Sequence, residues 1–142
     1  MIKHILVGVD ESETAARAAL AAAELADKLQ ADLHVMTAYG KFEVERLETG
    51  GEELIFSSER SGMSVAEEAL RPLRRQFPTL KATPHAGEGK PAAALVELAE
   101  RLEIDLIVVG NKRVQGITRV LGSIARDVVT HAPCDVYIAH TH

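Results

Sequence analysis

The sequence has little that would identify a disulfide-stabilised or exported protein. It contains one cysteine among 142 residues, so no internal disulfide can form, and the disulfide-rich secreted folds are excluded. The first residues also lack a charged segment followed by an apolar stretch, which is the pattern that directs export. These two features predict a cytoplasmic location.

Long apolar runs and an excess of positive charge are also missing. The purely apolar stretches are short, as at 106–109, whereas a membrane-spanning helix needs roughly 18 apolar residues. The formal net charge is -5, and neutralising nucleic acid phosphates requires a dominant basic surface. The sequence therefore predicts no membrane and no nucleic acid as partners.

What the sequence does contain is a regular alternation of apolar runs and helix-forming segments. The apolar runs predict buried strands at residues 2–9, 33–38, 81–85, 104–109 and 135–139. The segments between them predict helices at residues 14–29, 64–77, 91–102 and 123–131. This order is typical of an α/β fold with a doubly wound parallel sheet, formed here by a single domain over residues 1–142.

The segment between Tyr39 and Gly62 does not fit this alternation. It has no steady apolar period, Gly50 and Gly51 are adjacent, and six acidic residues stand against three basic ones. This composition predicts a mobile loop with at most a helical turn. We therefore expect a protease to cut first between Lys41 and Gly62.

The fold class predicts where a ligand would bind. In doubly wound sheets, ligands lie beyond the carboxyl ends of the strands, where the winding direction reverses. Two loops are expected there, one with Asp10 and Ser12 after the first strand and one that begins at Gly110 after the fourth. Asp10 has two interpretations at this stage, as a ligand contact or as a capping and turn residue.

The loop after the fourth strand has the composition of an anion site. Residues 110–126 carry four basic side chains and no acidic one, namely Lys112, Arg113, Arg119 and Arg126. Gly110, Gly116 and Gly122 permit exposed backbone N–H groups, and Ser123 begins a helix whose N-terminus favours negative charge. The alternative interpretation is a solvated surface loop in which the glycines only form turns.

Four segments resemble the universal stress protein family over essentially the whole chain. They are VGVDES at 7–12, LHV at 33–35, GEGKP at 87–91 and the ending VVGN…GSIARDVVTHAPCDVYI. The resemblance implies a five-stranded parallel sheet of order 3-2-1-4-5, of the adenine nucleotide alpha hydrolase-like type. It also implies a homodimer that regulates the stress response, and ATP or another adenine nucleotide as ligand, with Mg²⁺ accompanying it.

The resemblance also assigns roles to individual residues. In the family, the aspartate after strand 1 meets the ribose, the end of strand 2 lines the adenine pocket, and a glycine-rich loop holds the phosphates. These roles fall on Asp10, on Val35, and on Gly110 with Gly122 and Ser123. The residues expected to complete the nucleotide site are Gly8, Val9, Val109, Lys112, Arg113, Gly116 and Ile124.

The phosphate loop departs from the family pattern. Arg113 stands where the family has a second glycine, and eight residues separate it from Gly122. An alternative alignment makes Gly116 the functional glycine, and the Arg113 side chain either pairs with a phosphate or fills its space. Family members that hold no ATP, or that prefer cyclic AMP, leave two alternatives open, a partner-binding stress protein without nucleotide and a slow nucleotide hydrolase.

Other candidate motifs are weaker. Gly87–Lys90 lacks the spacing and the following Ser or Thr of a phosphate-binding P-loop, and His140 and His142 have no third metal ligand nearby. His34 is expected to be a hydrogen-bonded structural histidine. Without a positioned nucleophile, base or metal cluster, the sequence predicts no catalytic residues, no metal site and no enzyme.

The last strand predicts how two copies would associate. Val136 and Ile138 alternate with Tyr137 and Ala139, so the strand packs one face inward while its outer edge stays unpaired in a single chain. Pairing two such edges across a twofold axis removes the exposed edge. We therefore expect a homodimer through the C-terminal strand.

Overall fold

The computed structural model describes residues 1–40, 51–111 and 121–141, with side chains from residue 58 onward in the helix that begins at residue 51. The strands are β1 (His4–Gly8), β2 (Asp32–Tyr39), β3 (Ala82–Glu88), β4 (Leu106–Asn111) and β5 (Asp135–His140). The helices are α1 (Glu13–Leu29), α2 (Gly51–Gln76), α3 (Pro91–Arg101) and α4 (Ser123–His131).

The strands form one parallel sheet with β1 at its centre. The strand order is β3-β2-β1-β4-β5, which confirms the predicted order. Ile5 of β1 pairs with Leu33 of β2 on one side and with Leu106 of β4 on the other. The carboxyl ends of β1 and β4 therefore lie side by side, and this is the place where the winding direction reverses.

The sequence before α1 fixes where that helix begins. Ser12 is the N-cap, with extended backbone angles, and its hydroxyl accepts a hydrogen bond from the backbone N–H of Ala15 at 3.2 Å. The cap satisfies one of the N–H groups that a helix start leaves without a partner. The prediction of a capped start for the first helix is thus confirmed, and the cap sets the direction in which α1 leaves β1.

Two apolar layers enclose the sheet. One lies between the sheet and helices α1 and α2, and it includes Ile5 and Val7. The other lies under α3 and α4 and includes Leu6, Met36 and Ile107. Because successive side chains of a strand point to opposite faces, β1 supplies both layers.

A pair of leucine substitutions tests this assignment of the core. Leu6 is fully buried, whereas the side chain of Leu29 at the end of α1 is 45% exposed. We expect Leu6→Ala to lower the free energy of unfolding by about 2–5 kcal/mol, because it leaves a cavity as well as losing apolar burial. Leu29→Ala is the matched control and should change it by less than about 0.5 kcal/mol. Urea unfolding measures both, and equal losses would contradict the core assignment.

The loop predicted between Tyr39 and Gly62 is wrong from residue 51 onward, because α2 begins at Gly51. Gly62, the last residue of the predicted loop, lies inside the helix and against the sheet. A Cβ at Gly62 would lie 3.6 Å from the Cβ of Ala86 and 3.7 Å from the carbonyl oxygen of Thr37. The glycine therefore marks close helix-to-sheet packing, and residues 41–50 of the predicted loop lie outside the described residues.

The other predicted elements differ from the observed ones mainly at their ends. Strand β3 continues to Glu88, three residues beyond the predicted end, and β2 continues to Tyr39. Both extensions run toward the carboxyl edge of the sheet. Within the described ranges, none of the helices has the length and apolar character that crossing a membrane requires.

Candidate functional site

A cavity of about 310 Å³ opens at the carboxyl edge of the sheet, between β1 and β4. Its volume falls at the lower end of the range for small-molecule sites. The ends of β1, β2 and β4 and the first turns of α1, α3 and α4 form its walls. The lining residues are Gly8, Val9, Asp10, Ser12, Thr14, Ala15, Ala18, Met36, Thr37, Ala38, Pro91, Leu95, Val108, Val109, Gly110, Gly122, Ser123, Ile124 and Ala125.

Most of the site residues predicted from the sequence meet in this cavity. Residues 8–10 line it from the end of β1, Val109 and Gly110 line it from β4, and Gly122, Ser123 and Ile124 line it from the start of α4. These three groups are far apart in the sequence. The topology brings them together because β1 and β4 are neighbours whose carboxyl ends share one edge.

Asp10 combines the two interpretations that the sequence left open. Its Oδ1 accepts a hydrogen bond from the backbone N–H of Ser12 at 2.8 Å, so the carboxylate shapes the turn before α1. The same residue lines the cavity. It is also the only carboxylate among the described lining residues, so it defines the acidic side of the cavity.

The opposite side of the cavity is the N-terminus of α4. Gly122 is the N-cap of this helix and supplies no side-chain hydrogen bond. The first backbone N–H groups of a helix have no carbonyl partner within it, and the helix dipole makes this end partially positive. Next to Gly122 and Ser123, the helix therefore favours negative charge at this side of the cavity.

The two glycines at this end serve different purposes. A Cβ at Gly110 would lie 3.1 Å from Cγ2 of Thr141 and 3.4 Å from Cγ2 of Thr14, so the chain packs closely around it. A Cβ at Gly122 would meet no atom within 4 Å among the described residues, and its backbone angles of -63° and 163° suit any residue. No described atom and no backbone angle requires glycine at position 122, and the residue lines the cavity.

The structure corrects the assignment of Val35 to the cavity wall. Val35 is fully buried in the layer between the sheet and α1 and α2. The next three residues, Met36, Thr37 and Ala38, line the cavity from β2 in its place. The predicted strand ended at residue 38, whereas β2 continues to Tyr39, and the cavity lies at this later part of the strand.

Thr37 is one of the lining residues that the sequence analysis missed. The residue is 7% exposed, and its Oγ1 has no hydrogen-bond partner among the described residues. A buried hydroxyl without a partner is costly, so it is expected to find one in water or in a ligand. The predicted strand at 33–38 already contains Thr37, but only the three-dimensional structure shows that the residue lines the cavity and that its hydroxyl has no partner among the described residues.

Three predicted site residues, Lys112, Arg113 and Gly116, lie outside the described residues. The segment that contains them begins directly after Asn111, the last residue of β4, and ends before Leu121. Both of its ends are thus anchored beside the cavity, at Gly110 and at Gly122. Which of these three residues contacts a ligand stays a prediction.

The described lining residues offer few groups for acid-base or nucleophilic chemistry. Besides Asp10, the polar side chains are the hydroxyls of Ser12, Thr14, Thr37 and Ser123, and no histidine, cysteine or lysine is among these residues. Elsewhere, burial and the nearby Asp135 and Asp105 raise the pKa of the Cys134 thiol, which disfavours the reactive thiolate. Within the part of the chain that the structure describes, no three metal-ligating side chains converge on one point.

Comparisons with known proteins identify similar chains. The model of the universal stress protein family matches residues 1–140. Universal stress protein A homolog 1 from Coxiella burnetii is 34% identical over 137 residues, which cover 94% of this chain and 93% of the relative. The similarity therefore extends over nearly the full length of both proteins.

Two solved structures that resemble this fold are complexes with a ligand. A universal stress protein in complex with cAMP has a TM-score of 0.72 at 28% identity, covering 99% of this chain and 98% of that chain. The universal stress protein from Archaeoglobus fulgidus in complex with dAMP has a TM-score of 0.65 at 25% identity, covering 97% and 98%. Both of these similar proteins bind an adenine nucleotide.

Proposed function

Because this chain belongs to the universal stress protein family, we propose that it is a regulatory module of the stress response that binds an adenine nucleotide in the cavity between β1 and β4. The observation that carries the proposal is that Gly122 and Ser123, at the N-terminus of α4, line the cavity and that no described atom lies within 4 Å of the position a Cβ would take at Gly122. A phosphate would fit there, because unpaired N–H groups and the helix dipole both favour an anion.

The rest of the cavity suits the other parts of a nucleotide. Asp10 provides a carboxylate that can accept hydrogen bonds from ribose hydroxyls. Met36, Ala38 and Leu95 provide apolar walls for a planar base, and the Thr37 hydroxyl gains a partner when the cavity is filled. The bound cAMP and dAMP of the two similar structures support this choice of ligand class.

Which adenine nucleotide binds depends on the phosphate end. ATP would draw on the basic residues of 112–119 in addition to the helix N-terminus, whereas AMP or cyclic AMP would need the helix N-terminus alone. Mg²⁺ would enter with ATP, held mainly by phosphate oxygens and water, because Asp10 is the single carboxylate among the described lining residues. We expect the protein to bind ATP and to tolerate the shorter nucleotides.

We propose a binding module rather than an enzyme. Hydrolysis would need a base or a positioned water near the phosphates. The described lining residues near Gly122 supply hydroxyls but no histidine or second carboxylate. The cytoplasmic location stays an expectation from the low cysteine content.

The homodimer is also a proposal. Strand β5 is an edge strand of the sheet in the single chain, and Tyr137 and Ile138 on it are 48% and 38% exposed. Edge strands with exposed apolar side chains are protected in most proteins, and pairing with a second copy is one such protection. A substitution at Ile138 tests whether two copies associate through β5.

Two substitutions at Asp10 test the ribose contact and separate it from the turn. Asp10→Asn keeps an oxygen that can accept from the Ser12 N–H, so the free energy of unfolding should stay unchanged. We expect it to weaken nucleotide binding by about tenfold, because a charge-assisted hydrogen bond becomes a neutral one. Asp10→Ala removes both contacts and should also cost about 1 kcal/mol of stability.

Isothermal titration calorimetry and urea unfolding measure the two effects for both variants. The proposal requires that Asp10→Asn affects binding without affecting stability. Wild-type affinity in Asp10→Asn and in Asp10→Ala would remove Asp10 from the binding site and leave it as a turn residue only.

A further inference from the structure

Three histidines lie side by side on three neighbouring strands of the sheet, and none of them lines the cavity. His4 is the first residue of β1, His34 lies near the start of β2, and His85 lies on β3. Nδ1 of His34 is 2.9 Å from Nε2 of His85, and Nε2 of His34 is 3.4 Å from Nδ1 of His4. We call these three side chains the histidine ladder.

The ladder is a hydrogen-bonded row rather than a metal-ligand cluster. His34 stands in the middle and directs its two ring nitrogens to opposite neighbours. The ring centroids are 5.5 Å apart between His4 and His34, and 5.1 Å apart between His34 and His85. The nitrogens therefore do not converge on one point, which agrees with the absence of a metal cluster among the described residues.

Counting hydrogens shows how many protons the ladder can hold. Two links occupy four ring nitrogens, and each link holds one hydrogen between its two nitrogens. Three neutral imidazoles bring three hydrogens, so two lie in the links and one lies on an outer nitrogen, Nε2 of His4 or Nδ1 of His85. One added proton fills the other outer nitrogen and keeps both links. A second added proton places N–H against N–H within a link and opens it.

The two ends of the ladder have neighbours of opposite charge. Oδ2 of Asp32 is 3.9 Å from Nδ1 of His4, and Asp105, whose carboxylate accepts from the backbone N–H groups of Lys3 and His4, is close to the same ring. At the other end, Arg101 of α3 repels a positive charge on His85. A positive charge is therefore opposed at His34 and His85, and the two carboxylates lie at the His4 end of the ladder.

Burial acts in the same direction as the charges. Desolvation, with smaller contributions from His85 and His4, lowers the pKa of His34 from its ordinary 6.5 to about 4, although the Asp32 carboxylate raises it slightly. Burial and Arg101 also lower the pKa of His85. In the unfolded chain, His34 binds its proton near pH 6.5. The unfolded state therefore binds more protons than the folded state between pH 6.5 and about 4, so stability is present above this window and is lost as the pH falls through it.

We propose that the histidine ladder is a proton-operated latch across β1, β2 and β3. Both of its hydrogen bonds stay intact when the ladder binds one extra proton, and the latch opens, through loss of one of these bonds, when the ladder binds a second. An open latch loses a side-chain link between neighbouring strands and leaves like charges beside each other. The edge strand β3 and the helix α3 that covers this face then lose support first in acid. This device is separate from the nucleotide proposal, because none of the three histidines lines the cavity.

Nuclear magnetic resonance of the histidine rings in the unmodified protein counts the protons directly. Ring signals are followed from pH 7.5 to pH 4, with assignments from single His→Gln variants. We expect the three rings together to take up one proton above pH 5, and His34 to stay neutral until near pH 4. Three independent titrations with midpoints near pH 6.5 would overturn the proposal.

Thermal unfolding gives a second and separate readout. In His34→Gln, a side-chain amide with both donor and acceptor groups replaces the ring. Because the amide does not titrate, its hydrogen bonds to His4 and His85 do not depend on how many protons the ladder holds. Between pH 7 and pH 4.5, we expect the melting temperature of His34→Gln to fall less than that of the wild type, and the two falls to differ by about 3 °C or more. His131→Gln is the matched control, since His131 is exposed at the end of α4, and it should follow the wild type. Equal losses in His34→Gln and the wild type would contradict the latch.

Discussion

Replacing Gly122 by valine is expected to abolish nucleotide binding while the protein stays folded. A Cβ at this position meets no described atom within 4 Å, so the valine side chain projects into the space beside the N-terminus of α4. A phosphate then cannot approach the N–H groups there. Losing about two charge-assisted hydrogen bonds corresponds to a roughly hundredfold weaker affinity.

The stability of the variant is expected to stay close to that of the wild type. The backbone angles at Gly122 are accessible to valine. A side chain also restricts the unfolded chain, by about 0.4–1 kcal/mol in favour of folding, and this offsets most of the roughly 0.5–1 kcal/mol that the poorer N-cap costs.

Gly122→Ala is the graded control, because its smaller side chain fills less of the space and should weaken binding less than valine does. Calorimetric titration with ATP measures affinity, and urea unfolding measures stability. Wild-type affinity in Gly122→Val would contradict the placement of the phosphates at α4.

The second large effect is expected at the edge of the sheet. Ile138→Lys places a charge on the exposed edge of β5, where the twofold pairing would bring two copies of the lysine close together. Lysine on an edge strand is a common means of preventing strand pairing, and burying like charges across an interface is unfavourable. We expect the wild type to be a dimer at micromolar concentration and Ile138→Lys to be a monomer with unchanged secondary structure.

Leu29→Lys is the matched control for this prediction. Leu29 is exposed to a similar degree, at 45% against 38% for Ile138, but it lies at the end of α1. The control should remain a dimer. Sedimentation velocity separates the two masses, and either a monomeric wild type or a dimeric Ile138→Lys would contradict pairing through β5.

The sequence was sufficient for the element order of the fold because local patterns determine it. Apolar runs of four to eight residues identify buried strands, and a polar cap such as Ser12 marks a helix start. The lateral order of the strands came from the family resemblance. The start of α2 was mispredicted, because the adjacent Gly50 and Gly51 and the missing apolar period indicate a loop in sequence, whereas the helix begins at Gly51.

The candidate site was predictable only in part. Asp10, Gly110 and Gly122 lie next to strand and helix ends, and a parallel α/β sheet brings such ends together. Val35 was misplaced, because its side chain is buried in the layer between the sheet and helices α1 and α2. The residues of β2 that line the cavity, Met36, Thr37 and Ala38, lie one to three positions later. The histidine ladder was not predictable, since residues 4, 34 and 85 meet only through the registers of β1, β2 and β3.

The central claim is that the cavity binds an adenine nucleotide, and calorimetric titration of the unmodified protein tests it most directly. ATP, ADP, AMP and cyclic AMP are titrated separately, with GTP as the control for the base. The account predicts saturable binding of at least one adenine nucleotide at one site per chain, with weaker binding of GTP. An absence of binding by all four adenine nucleotides at millimolar concentration would contradict the account, and a partner-binding function would then replace it.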